Sequence, residues 1–160
     1  LAEVDLASVS RTDDMEGPVE RVACEPVGRA AIEAVLPRFL GTIQQRPPAY
    51  SAMKIGGRRA YALARKAETD DALPKLEPRP VVIHSIDIAA FDWPVVTLDI
   101  ACGKGTYIRS LARDLGAELG TGGMLRSLRR TRVGPWTIDD AVTLDDLPAQ
   151  LTQDDLRAAQ

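Results

Sequence analysis

The chain of 160 residues is 45% hydrophobic and 27% charged with a net charge of −3, apolar enough to build the core of one domain, or of part of a larger one, and to exclude a disordered chain. It contains no run of about 18 apolar residues and no basic stretch leading into an apolar one at its start, so neither a membrane span nor a secretion signal is expected. Cys24, Cys102 and the single His84 fall nowhere near metal-ligand spacing, which argues against a zinc site or a disulfide framework and makes a reducing, cytoplasmic setting the default.

In chain order, a strand-like run begins at once with Val4 and Leu6 on one side. A strand entered in mid-stride needs partners for its backbone, so sequence preceding Leu1 is expected to belong to the same fold. Arg11 to Pro26 is polar and rich in Asp, Glu, Gly and Pro, and reads as a connecting loop. Ile32, Val35, Leu36, Phe39 and Leu40 repeat at helical spacing, with Pro37 placed to end or kink that helix. Gln44 to Gly57, with Pro47-Pro48 and Gly56-Gly57, reads as a structured loop, and Arg59 to Ala67 as a short helix. Val81 to Phe91 and Val95 to Cys102 are rich in β-branched residues and are joined by Asp92-Trp93-Pro94 as a hairpin-like connection. Ile108, Leu111, Ala112, Leu115 and Leu119 predict an amphipathic helix stopped by Gly120. Met124 to Val133 reads as a strand closed by Gly134-Pro135, and Thr143 to Asp146 and Thr152 to Asp155 as starts of short capped helices. Strands and helices do not alternate strictly, so the expected class is α+β, a mixed and largely antiparallel sheet with flanking helices.

Charge is segregated along this pattern. Arg38 to Lys66 carries seven basic residues and no acidic one, and Lys104 to Arg132 carries a net +5, so the remainder carries −15. Two basic blocks on an acidic chain make a local footprint for phosphates. In the first block Tyr50, Lys54 and Arg58 follow the stiff Pro47-Pro48 pair, supplying a stacking surface and phosphate contacts suited to RNA loops with accessible bases. Tyr61 can serve the same surface or simply pack on the core. In the second block Gly103-Lys104-Gly105-Thr106 lies at a strand-to-helix junction but lacks the first glycine and the Lys-Ser/Thr pair of a nucleotide-binding loop. Arg109 sits on the first turn of the following helix, where a guanidinium can grip a carboxylate or phosphate with two prongs. Farther on, Leu128 and Arg130 share one face of a strand while Arg129 takes the other.

Three blocks in this order, Arg46 to Lys54, Gly103 to Gly116 and Leu125 to Thr131, resemble the TruB family of tRNA pseudouridine synthases. The resemblance implies a pseudouridine synthase fold seen in part: residues 1–135 as the C-terminal part of the catalytic domain, with an RNA-gripping insertion at about 44–67, and 136–160 as a short helical segment. It implies isomerisation of uridine 55 in the T loop of tRNA by a monomer without metal or cofactor, the base being flipped out of the loop. Arg109 matches the arginine that pairs with the catalytic aspartate, Tyr107 an aromatic lining of the uracil pocket, and Leu128 an apolar pocket residue. Lys104, Tyr50, Lys54, Arg58, Arg129 and Arg130 are the expected RNA contacts. The family's nucleophile lies in a Gly-Thr-Leu-Asp segment that does not occur here, and its strand-leading tyrosine would fall immediately before Leu1. Ser10-Arg11-Thr12-Asp13 stands where the family often has Thr-Asp-Thr-Asp, and Gly103 where serine is usual. Asp99, on the outer face of its strand, and Asp114, off the face of Arg109, are expected to be solvated. The alternatives are a catalytically inactive RNA-binding or tRNA-folding module and an α+β scaffold whose arginines only solvate its surface.

Overall fold

In the computed structural model, residues 1–147 and 149–150 are described. The chain runs β1 (Ala2–Asp5), β2 (Ser8–Ser10), β3 (Val19–Arg21), α1 (Arg29–Val35), β4 (Gly41–Gln45), β5 (Lys54–Ile55), β6 (Arg58–Arg59), α2 (Ala60–Ala64), β7 (Arg79–Asp92), β8 (Val95–Cys102), α3 (Ile108–Leu119), β9 (Met124–Leu128), β10 (Arg132–Val133) and β11 (Trp136–Thr137). It divides into two compact units, residues 1–128 and the residues from Arg129 on.

The first unit is built on a five-stranded sheet in the order β4-β7-β8-β1-β9, every neighbouring pair antiparallel. This is the α+β class, with the antiparallel sheet, expected from the sequence. Alternation explains it: Val96 and Leu98 on β8 and Val81 and Ile83 on β7 are buried between more exposed neighbours, so one side of each strand is apolar. Onto that side pack Ile32 of α1 and Leu111, Ala112 and Leu115 of α3, closing one core with Ala2, Val4, Leu36, Phe39 and Leu125. Pro37 opens a 3-10 turn, Leu36–Phe39, that ends the first helix. Helix α3 ends as its glycine requires: Gly120 has φ 68, and the Thr121 N–H closes on the Gly116 carbonyl at 2.9 Å. No helix among the described residues is long and apolar enough to cross a membrane, and no cluster of His, Cys, Asp or Glu among them could hold a metal ion. Cys24 and Cys102 are free thiols.

The second unit contains the β10–β11 hairpin across Gly134-Pro135 and a 3-10 turn, Ile138–Asp140, begun by a capping box between Thr137 and Asp140.

Several local expectations are corrected. Residues 11–26 are not one connecting loop: β3 returns to pair with β2, and the ribbon escaped notice because Val9 and Val19 are exposed, so no apolar alternation marks it. The stretch from Gly41 to Gln45 is an edge strand whose one buried side chain is a glutamine, which again breaks the usual pattern. Gly56 and Gly57, both at positive φ, turn a miniature hairpin between β5 and β6. The strand expected through Val133 stops at Leu128. Thr143 bonds Asp146 at 2.6 Å but opens a turn without a helix; the start expected at Thr152 lies outside the described residues.

Candidate active site

At one end of the sheet, α3 begins immediately after the turn Gly103–Thr106. That turn hangs on β7 through the Gly103 N–H to the Val82 carbonyl at 2.8 Å, and Thr106 Oγ1 closes it on the Gly103 carbonyl at 3.0 Å. Tyr107 is the N-cap and Arg109 lies in the first turn. The guanidinium of Arg109 makes three bonds: Nη1 to Asp14 Oδ2 at 2.9 Å, Nη1 to the Thr12 carbonyl at 3.2 Å, and Nη2 to the Tyr50 carbonyl at 2.9 Å. One side chain thus ties the Ser10–Asp14 loop and the root of the Pro47-Pro48 segment to the helix. The pair is largely shielded, with side-chain exposures of 22% and 17%, so its charge-assisted bonds are stronger than those of a surface ion pair.

One helical turn on, Arg113 repeats the device. Its Nη1 bonds Asp13 Oδ2 at 3.0 Å, its Nη2 donates to the Arg46 carbonyl at 2.9 Å, and it also pairs with Asp114 at 2.8 Å. Asp13 has φ 61, a left-handed conformation that aspartate tolerates better than most residues. That turn lets two consecutive aspartates reach two arginines four residues apart on one helix face. The loop is further stitched to β9 by the Leu125 N–H to the Asp13 carbonyl at 2.9 Å. Burial raises the Asp13 carboxyl to a pKa of about 6, against the pull of Arg113 and Arg109.

Arg109 lines a cavity of about 360 Å³ together with Asp14, Glu16, Tyr50, Ser51, Ala52, Tyr61, Arg65 and Tyr107. Arg65 lies 5.4 Å over the Tyr61 ring, and Arg79 lies 5.3 Å over the Tyr107 ring. A guanidinium thus lies over one face of each of these two rings, and Arg109 adds a further cation to the lining.

The structure brings together four of the residues singled out in the sequence: Arg109, Tyr107, Tyr50 and Tyr61 all line this cavity. Lys54 and Arg58 are exposed on the β5–β6 hairpin of the insertion, and Lys104 is exposed on the turn before α3. Leu128 ends β9 opposite Ala2, is 52% exposed, and does not line the cavity. Arg129 and Arg130 are exposed at the start of the second unit. Asp99 is exposed as expected, but Asp114 is held by Arg113 and not simply solvated. Asp13, Asp14 and Arg113 escaped sequence reasoning. A signal was present, an Asp-Asp pair in a loop and an i, i+4 arginine pair on a helix, but some 95 residues separate the partners and nothing local announces the contact.

Residues 1–108 match the family described as TruB family pseudouridylate synthase (N terminal domain), and residues 109–159 match the tRNA pseudouridylate synthase B C-terminal domain. The chain belongs to the TruB family. Among curated relatives, tRNA pseudouridine synthase B of Thermobifida fusca is 44% identical, with 94% of this chain and 53% of that protein covered. The protein of the same name from Bradyrhizobium diazoefficiens is 49% identical over 86% of this chain and 39% of its own length. The one from Parabacteroides distasonis is 40% identical over 96% of this chain and 64% of its own length. The chain thus spans about half the length of such relatives. Among solved structures, a chain of a Cbf5-Nop10-Gar1 complex superposes with a TM-score of 0.61 at 27% identity, covering 91% of this chain and 33% of that one.

Proposed function

We propose that this chain supplies the RNA-holding part and the essential guanidinium of a site that isomerises uridine 55 in the T loop of tRNA to pseudouridine. The observation that carries the reading is Arg109: a shielded guanidinium, already gripping a carboxylate, bonded to the basic insertion and lining a cavity with Tyr50, Tyr61 and Tyr107. A base drawn from its stack costs a few kcal/mol, which stacking on Tyr107 and Tyr50 and phosphate contacts from Lys54 and Arg58 offset. The glycosidic bond then breaks, the uracil turns, and carbon 5 replaces nitrogen 1 on the sugar; the carbon 5 proton leaves and nitrogen 1 gains one. Arg109 keeps the attacking carboxylate ionised and aimed. That carboxylate belongs to the Gly-Thr-Leu-Asp segment of the family, absent from these 160 residues. The enzyme works as a monomer in the cytoplasm and needs no metal or cofactor.

The exposed Lys54 and Arg58 of the insertion would equally serve a second reading, an RNA-binding or tRNA-folding module that does not turn over. The test joins residues 1–160 to the part of the Thermobifida fusca relative that they do not cover and maps pseudouridine in the T loop of a tRNA transcript. The expected result is product from the chimera, a loss of at least about a hundredfold with Arg109→Ala, and none from residues 1–160 alone. Binding without product in the chimera would leave the RNA-binding module; product from the bare chain would overturn the assignment of the nucleophile.

A further inference from the structure

Gln45 closes β4 just before the Pro47-Pro48 segment and is 1% exposed. A buried primary amide is costly unless both of its ends are bonded, and an apolar side chain of similar size would fill the space without that requirement. Both ends are used here, on one residue: Tyr107 N–H donates to Gln45 Oε1 at 2.8 Å, and Gln45 Nε2 donates to the Tyr107 carbonyl at 3.1 Å. The amide imitates the two-bond pairing of an antiparallel ladder. It grips a residue at a helix N-terminus, whose N–H groups have no partner within the helix.

The cross-strand partner of Gln45 on β7 is Arg79, and it turns to the same tyrosine. Its guanidinium lies 5.3 Å over the Tyr107 ring, and its Nη2 bonds the Gly105 carbonyl at 3.2 Å in the turn that leads to Tyr107. Its Nη1 meets Met53 Sδ at 3.1 Å, inside the insertion. One cross-strand pair therefore holds Tyr107 by its backbone and by its ring, and the arginine links that ring to the segment expected to close over RNA.

We infer that Gln45 and Arg79 are positioning residues for the base pocket, fixing Tyr107 against the extruded uracil and coupling its seating to the insertion. The inference rests on the proposed role of Tyr107 at the base. Neither residue touches the reacting atoms, so both act on the rate at saturating tRNA and leave capture of the tRNA nearly intact. Gln45→Glu keeps the acceptor for the Tyr107 N–H and sets a carboxylate against its carbonyl. Arg79→Lys keeps the charge and gives up the flat stacking face, at a site exposed enough to leave folding undisturbed.

In the chimera described above, each variant is expected to lower kcat roughly tenfold while KM for tRNA stays within about threefold. Tyr107→Ala is measured alongside. A fall in kcat for Tyr107→Ala with kcat unchanged in both Gln45→Glu and Arg79→Lys would overturn the positioning role alone. If Tyr107→Ala turns over normally, or the chimera gives no product, the pocket reading fails and takes this inference with it. A rise in KM alone for Arg79→Lys would make Arg79 an RNA contact and refute its positioning role.

Discussion

Replacing Arg109 by lysine isolates what the guanidinium geometry contributes, because the charge is retained. A lysine side chain places its nitrogen about where the central guanidinium carbon stands, one bond short of both Nη atoms. From there it can lean toward Asp14 or toward the Tyr50 carbonyl, which now accept from different nitrogens at 2.9 Å each, but not toward both. At least one of three bonds is lost. A bond to a charged group contributes about 1.5–3 kcal/mol, and because the site is partly open to water the lower half applies, about 2 kcal/mol. For a chain of this size that is a fall in Tm of roughly 4–8 °C. The loss is local in origin, so hydrogen exchange should quicken first in peptides covering residues 10–16 and 46–53, the two segments tied by Arg109. Differential scanning fluorimetry and exchange mass spectrometry on the parent and Arg109→Lys proteins read both quantities. An unchanged Tm together with unchanged exchange in both segments would refute the view that this arginine anchors the loop and the insertion.

Asp13 releases its proton near pH 6 when folded and near 3.8 otherwise, so between those values the folded state binds more protons. Its contribution to stability is then full below about pH 4 and is lost as pH rises through about 6, by roughly 3 kcal/mol at most. Urea titrations at pH 4.5 and 7 should show Asp13→Asn gaining on the parent at the higher pH, and a constant difference would contradict this. A Cβ on Gly116 would lie 2.2 Å from the Gly122 carbonyl oxygen, backbone against backbone, so Gly116→Ala should cost about 3 kcal/mol or more in the same titrations. Removing Lys54 and Arg58 together should flatten the slope of log affinity against log salt for a T-arm stem-loop by about 1.4, two phosphate contacts at ~0.7 each. An unchanged slope would take the insertion off the RNA.

What could be read from the sequence was whatever repeats. The alternation through β7 and β8 and the helical spacing from Ile108 to Leu119 signal burial residue by residue, and those elements and the α+β class followed. β4, with a single buried position that is polar, and the exposed β2–β3 ribbon carry no such rhythm, and both were missed. In the site, Arg109 stood out at a strand-to-helix junction and Tyr107 through the family resemblance, whereas their supports come from far along the chain. Asp14 reaches Arg109 across 95 residues and Gln45 reaches Tyr107 across 62. Sequence shows that a guanidinium or a tyrosine is present; only the closed fold shows which carboxylate or amide it meets.

Helix α3 explains why those distant supports arrive in register. Leu111, Ala112 and Leu115 are buried in the core, and Gly116 lets the Gly122–Gly123 turn approach to backbone contact. These positions fix the rotation of the helix about its own axis, and rotation decides where its other side chains point. Arg109 and Arg113, four residues apart, then face the Ser10–Asp14 loop together, and the left-handed turn at Asp13 presents two successive carboxylates to them. A helix turned by one residue, about 100°, would swing a charged side chain into the core-facing positions and lose both ion pairs at once. The close glycine contact therefore does more than pack the core: it sets the direction of the arginine on which the proposed chemistry depends.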